Sequence, residues 1–198
     1  MRKYMFIITA VIAIFAFSAP VAAFTAADET PKDYLNSVKI TFLSWISGST
    51  KISYERAFPQ MHQSGELCAS LISAGYDKYD NDPMGFTVRY GHKFFMLGND
   101  EASLKGFYLR PELIYSHYYY TRRADKERTL ANMGALLGTV GYQYVWNRFL
   151  ADFWVGAGYA VGTPAETRYH HGFELWHWLN RESDNLAMSF SIRLGFCF

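Results

Sequence analysis

The sequence predicts an all-β fold: an eight-stranded antiparallel up-and-down transmembrane β-barrel behind a cleaved N-terminal signal peptide. Three observations carry this. Large apolar residues alternate with small or polar ones in one stretch after another, which is the period of a strand with two unlike faces. Several stretches reach the roughly 9 to 11 residues that cross a bilayer at a tilt. The apolar faces are too rich in Phe, Tyr, Trp and Leu to fit inside a ring of eight strands, so the polar faces point inward.

Composition sets the outer bounds. The chain has 198 residues, 50% of them hydrophobic and 18% aromatic, enough apolar surface to offset the entropy of ordering and exclude disorder. Arg2 and Lys3 precede an apolar run from Met5 to Phe17, then Ser18, Ala19, Pro20 and Val21-Ala22-Ala23, the pattern of a signal peptide cut after Ala23. Residues 1–23 are therefore read as the signal, 24–35 as a periplasmic lead-in and 36–198 as the barrel. Loss of Arg2 and Lys3 takes the formal net charge from +1 to −1, and no basic stripe remains to attract nucleic acid.

The strands follow in order. The first, about 37 to 46, sets Val38, Ile40 and Phe42 against Lys39 and Thr41; Ser47-Gly48-Ser49 turns into a second, about 51 to 58, with Ile52, Tyr54 and Phe58 against Lys51, Ser53 and Glu55. A third, about 66 to 76, alternates Leu67, Ala69 and Leu71 with Glu66, Cys68 and Ser70. The fourth, about 85 to 95, opposes Phe86, Val88, Tyr90 and Phe94 to Thr87, Arg89 and Lys93. In the fifth, Phe107, Leu109, Leu113 and Tyr115 oppose Tyr108, Arg110, Glu112 and Ser116, and Pro111, which has no donor for the ladder, predicts a local bulge. The sixth (about 133 to 146) and seventh (about 149 to 162) meet at a two-residue turn, Asn147-Arg148. The last runs from Leu186 to Phe198 with every even position large and apolar.

Aromatics gather at two levels, as at the two surfaces of a membrane. Tyr54, Phe58, Tyr142, Tyr144, Trp146, Phe149, Phe196 and Phe198 lie toward one rim, Tyr115, Tyr119 and Tyr159 toward the other. With both ends of the barrel in the periplasm, the connections at about 47 to 50, 77 to 84, 121 to 132 and 163 to 185 face outside, and those at about 59 to 65, 96 to 105 and 147 to 148 face the periplasm.

The chain resembles the small eight-stranded outer-membrane barrels of the OmpA, OmpX and OmpW kind, especially those common in Bacteroidetes. The carriers are Ile52-Ser53-Tyr54-Glu55-Arg56-Ala57-Phe58, Gly106-Phe107-Tyr108-Leu109-Arg110-Pro111-Glu112 and the terminal Arg193-Leu194-Gly195-Phe196-Cys197-Phe198. The resemblance implies location in the bacterial outer membrane, lipid and lipopolysaccharide as surroundings, and Phe198 as a signal for the barrel-assembly machinery. It implies a fold more firmly than an activity.

Candidate sites come next. Lys39, Arg89, Lys93, Arg110 and Arg193 share the inward faces with Glu55, Glu66, Glu112 and Asp152, which predicts a packed ionic network, with Arg110 or Arg193 paired to Glu55, Glu112 or Asp152; a conducting lumen is the alternative. Ser116 and His117 suggest a lipid A-modifying enzyme, but neighbours on a strand point to opposite faces and cannot act as nucleophile and base. His170, Glu174 and His177 would share one side of a short helix and could ligate a metal, yet an amphipathic segment resting Trp176 and Trp178 on the membrane, or offering them to a surface ligand, explains the loop as well. Arg122 and Arg123, with Lys126 and Arg128, either meet lipopolysaccharide phosphates or form a solvated loop. Cys68 and Cys197 are three strand spacings apart and are expected to stay free. The reading is a non-enzymatic barrel without cofactor or resident metal, acting in envelope integrity or surface interaction; a narrow channel or carrier for small solutes is the second reading and lipid A modification the third.

Overall fold

The computed structural model describes residues 34–41, 49–73, 82–97, 104–122, 124–162, 174–175 and 186–198. The expected signal peptide, residues 1–23, and most of the expected lead-in lie outside them. Eight strands form a closed antiparallel barrel: β1 (Asn36–Thr41), β2 (Ser49–Phe58), β3 (Gln63–Ile72), β4 (Met84–Leu97), β5 (Gly106–Thr121), β6 (Arg128–Trp146), β7 (Phe149–Gly162) and β9 (Leu186–Cys197). Each pairs with the next in sequence, and β1 pairs with β9 to close the ring. A two-residue strand, β8 (Glu174–Leu175), lies against Met188 and Ala187 of β9.

The closing seam is short and well tied. Val38 faces Phe196 across it, the Asn36 amide donates to the Phe198 carbonyl at 3.1 Å, and the Phe198 amide returns a bond to the Asn36 carbonyl at 2.9 Å. Followed around the ring, the ladder row of Ser37 passes through Glu55, Glu66, Gly91, Glu112, Leu137 and Gly158 and reaches β9 at Ala187. Ser37's direct neighbour on β9 is Cys197, so the ring closes with a stagger of ten residues, from 187 to 197. An eight-stranded barrel with such a stagger tilts its strands by about 40° and leaves a core that side chains can fill.

Alternation sorts the two faces. Lys39, Glu55, Glu66, Lys93, Arg110, Asp152 and Arg193 are all buried, whereas Leu71, Leu113, Leu136, Tyr159, Val161 and Phe190 are exposed on the outer wall, Phe190 at 77%. Glycines on the inner face make room for long side chains. A methyl group at Gly141 would fall on the Tyr108 hydroxyl, and one at Gly195 would fall on the Lys39 stem.

Several boundaries differ from the sequence reading. Strand β6 begins at Arg128 instead of about 133, and β5 runs to Thr121, so the connection expected over 121–132 shrinks to 122–127. Rows from Thr121↔Arg128 to Ser116↔Met133 carry the hairpin beyond its neighbours, and Lys126, at φ 59°, makes the turn. Strand β3 starts at Gln63, after a 3₁₀ turn over Pro59–Met61 and a left-handed His62. The bulge predicted at Pro111 is absent. Pro111 pairs in register with Gly138, and on its other side the register is the same at Gly91↔Glu112 and Phe94↔Leu109. A missing donor removes one ladder bond without inserting a residue, so nothing needs to shift. The register does shift between Phe95 and Leu97, on β4.

Replacing Gly141 with Ala should push Tyr108 off its site and lower stability by about 1 to 3 kcal/mol. The refolded barrel's urea midpoint measures this, and an unchanged midpoint would show that the glycine is not there for space.

Candidate functional site

The lumen gathers its charges because each strand supplies inward positions two residues apart, and the staggered rows bring them to common levels. Toward the end with the short turns, two ammonium groups sit among three carboxylates. Lys39 Nζ lies 2.6 Å from Glu55, 3.2 Å from Asp152 and against Glu66; Lys93 Nζ lies 3.2 Å from Glu55, 3.3 Å from Glu66 and 3.0 Å from Asp152. Neutral groups complete the bonding. Gln143 accepts from Lys93 at 2.5 Å and donates to Glu55 at 3.1 Å, Ser64 donates to Glu55, and the Tyr108 hydroxyl donates to Asp152 at 2.5 Å.

Above this cluster three guanidinium groups surround one indole. Arg110, Arg89 and Arg193 stand 4.6, 5.0 and 5.2 Å from the Trp154 ring, close enough for cation–π attraction. Glu112 takes Arg89 at 2.8 Å and Arg110 at 3.4 Å, while Arg110 Nε donates to Thr139 at 3.1 Å. Glu66 joins the two clusters. It meets Arg110 at 3.2 Å and Arg193 as well as both lysines.

All nine inward charges named from the sequence, Lys39, Glu55, Glu66, Arg89, Lys93, Arg110, Glu112, Asp152 and Arg193, thus lie together inside the ring. Arg110 does meet Glu112; Arg193 pairs with Glu66 and lies beside Asp152 in the ladder. The sequence reading left Gln143, Tyr108 and Trp154 out of the network and Lys51 out of the inward charges. Phase could have found three of them, since Tyr108, Trp154 and Lys51 occupy inward positions two or four residues from a charge the reading did include, whereas Gln143 has no such neighbour on β6. With Lys51 the described interior holds six cations against four carboxylates.

Other sites separate. Ser116 is buried and shares a 2.8 Å hydrogen bond with Thr87, whereas His117 faces outward, 2.7 Å from Asn132 and stacked on Phe86. Glu174 is in an extended strand paired with Met188, so the helix that would have aligned it with His170 and His177 is not formed at that position. Both histidines, Trp176, Trp178 and Arg123 lie outside the described residues. Arg122 is paired with Asp125 at 2.9 Å, and Arg128 reaches Asp82 at 3.5 Å. Both cysteine thiols are buried and free. Among the described residues no group of His, Cys, Asp and Glu is arranged to hold a metal ion.

Comparison with protein-family models, with curated proteins and with solved structures finds no match to this chain.

Replacing Lys39 with Met leaves Glu55 and Asp152 with Lys93 as their one cation among the described ion pairs and should destabilise the barrel by about 3 to 5 kcal/mol. Combining it with Asp152→Asn should recover part of that loss. Additive effects in the double-mutant cycle would sink the claim that the two groups share one network.

Proposed function

We propose that this chain is a bacterial outer-membrane barrel whose lumen is closed by its own ion network, and that it serves the envelope through its fold and exposed loops instead of by catalysis. The observation that carries this is the inverted polarity: the ring buries its charges and exposes a continuous apolar wall from Val38 and Ile52 through Leu67, Val88, Leu113 and Val155 to Ile192. Such a wall is an aggregation hazard in water and a match for hydrocarbon. Aromatics border it at both ends, with Tyr115, Tyr119 and Tyr159 at one and Tyr54, Tyr144, Trp146, Phe149 and Phe196 at the other.

The closed lumen supports a non-conducting role. Lys39, Lys93, Glu55, Glu66 and Asp152 meet across it, and each is at most 2% exposed. The opposed faces of Ser116 and His117 support the non-enzymatic reading. A narrow anion path is the second reading, favoured by the surplus of cations over carboxylates inside the ring. Lipopolysaccharide around the loop end, the assembly machinery acting on Phe198, and an unidentified ligand of the 163–185 loop are the partners this reading implies.

In an outer-membrane fraction, the unboiled protein should migrate on a gel as a compact form that boiling converts to a slower one. Recovery in the soluble periplasm without such a shift would overturn the membrane reading. Planar bilayers separate the two roles: silence fits the closed lumen, and steady anion-selective current would favour the path.

A further inference from the structure

The end of the barrel that carries the short turns is built in layers. One ladder row on the outer wall runs Trp146, Phe149, Phe196, Val38, Tyr54, Leu67 and Tyr90, five aromatics among seven positions. The next row toward the rim contains Asn36, Arg56, Gly65 and His92. Arg148, in the turn after Trp146, lies 5.8 Å over the Phe196 ring, and Lys105, just before β5, lies 5.6 Å over Tyr144. Arg148 and Lys105 thus hold their charges over outer-wall rings, and Arg56 lies exposed one ladder step rimward of Tyr54.

Among the described side chains, the charge at this end is one-sided. Every described acidic side chain is in the lumen (Glu55, Glu66, Glu112, Asp152) or at the loop end (Asp82, Asp125, Glu127). Arg122 and Arg128 at the loop end have carboxylate partners, whereas Arg56, Lys105 and Arg148 have none among the described residues. An exposed arginine or lysine over an aromatic belt, without a protein anion, is placed to meet a phosphate diester at the depth where lipid headgroups begin.

Resting on the membrane reading above, we infer that the arc formed by Arg56, Lys105 and Arg148 binds the headgroups of acidic phospholipids, so that the turn end selects anionic over zwitterionic lipid. The rings beside them mark the interface and the cations supply the selection. Because the sites are exposed, the selection weakens as ionic strength rises.

The test uses the full chain refolded into phosphatidylcholine vesicles containing a fifth part phosphatidylglycerol. Spin-labelled versions of the two lipids report which is held at the protein surface. At low salt the wild type should favour phosphatidylglycerol by about two- to five-fold. Arg56→Gln, Lys105→Gln and Arg148→Gln together should bring the ratio close to one, while Arg122→Gln with Lys126→Gln should leave it unchanged. Should the triple variant not refold, Arg56→Gln alone should lower the ratio and Arg56→Lys should keep it. An inserted barrel with no preference, or one whose preference survives loss of the three cations, overturns the inference alone. Failure to form the heat-sensitive species in these vesicles overturns the membrane reading and the inference with it.

Discussion

One carboxylate, Glu66, answers four cations: Lys39, Lys93, Arg110 and Arg193. Those cations come from β1, β4, β5 and β9, on both sides of the ring, so the contact set exists only when the ring is closed. A buried charge without a partner is strongly destabilising, whereas a fully bonded one approximately offsets its desolvation. Closure and charge satisfaction are therefore one event in this barrel. The inner glycines, the polar positions two residues apart and the hydrogen bonds of Gln143, Ser64 and Tyr108 all serve that condition.

The interior is uneven along its axis. Lysines and carboxylates crowd the turn-side half, where compact ammonium groups can each be shared by several oxygens. Toward the loops the cations become arginines and stack around Trp154, whose ring tolerates positive charge on its faces without needing one carboxylate per guanidinium. That substitution of π-face for carboxylate is how three arginines are accommodated beside Glu66 and Glu112.

Alternation made the barrel legible in the sequence: a period of two assigns inside and outside without any knowledge of neighbours, and β7, read over 149 to 162, has those bounds in the structure. Local pattern was weaker at the ends. The first residues of β6, Arg128-Thr129-Leu130-Ala131-Asn132, look polar and loop-like, and pairing with Thr121 back to His117 is what makes them a strand. Pro111 failed as a bulge signal because the lost bond does not alter the residue count between rows. Trp154 was overlooked because a large aromatic on a polar face contradicts binary patterning, and only its three arginines explain it. The same limit applied to the basic residues: Arg122 stands out in a charged run yet is paired within it, whereas Arg56 and Arg148 sit singly in the sequence and are brought onto one rim by pairing around the ring.

The seam between the first and last strands has a kinetic meaning. Arg193 and Glu66 are 127 residues apart, Lys39 and Asp152 are 113 apart, and both pairs connect early strands to late ones. Contacts so distant along the chain form late and make the overall conversion slow. With its first and last strands paired to each other, the finished ring has no unpaired edge strand from which to peel. Such a molecule should persist less because its native state lies deep than because the route out of it begins with breaking everything at once, a form of durability set by a barrier height.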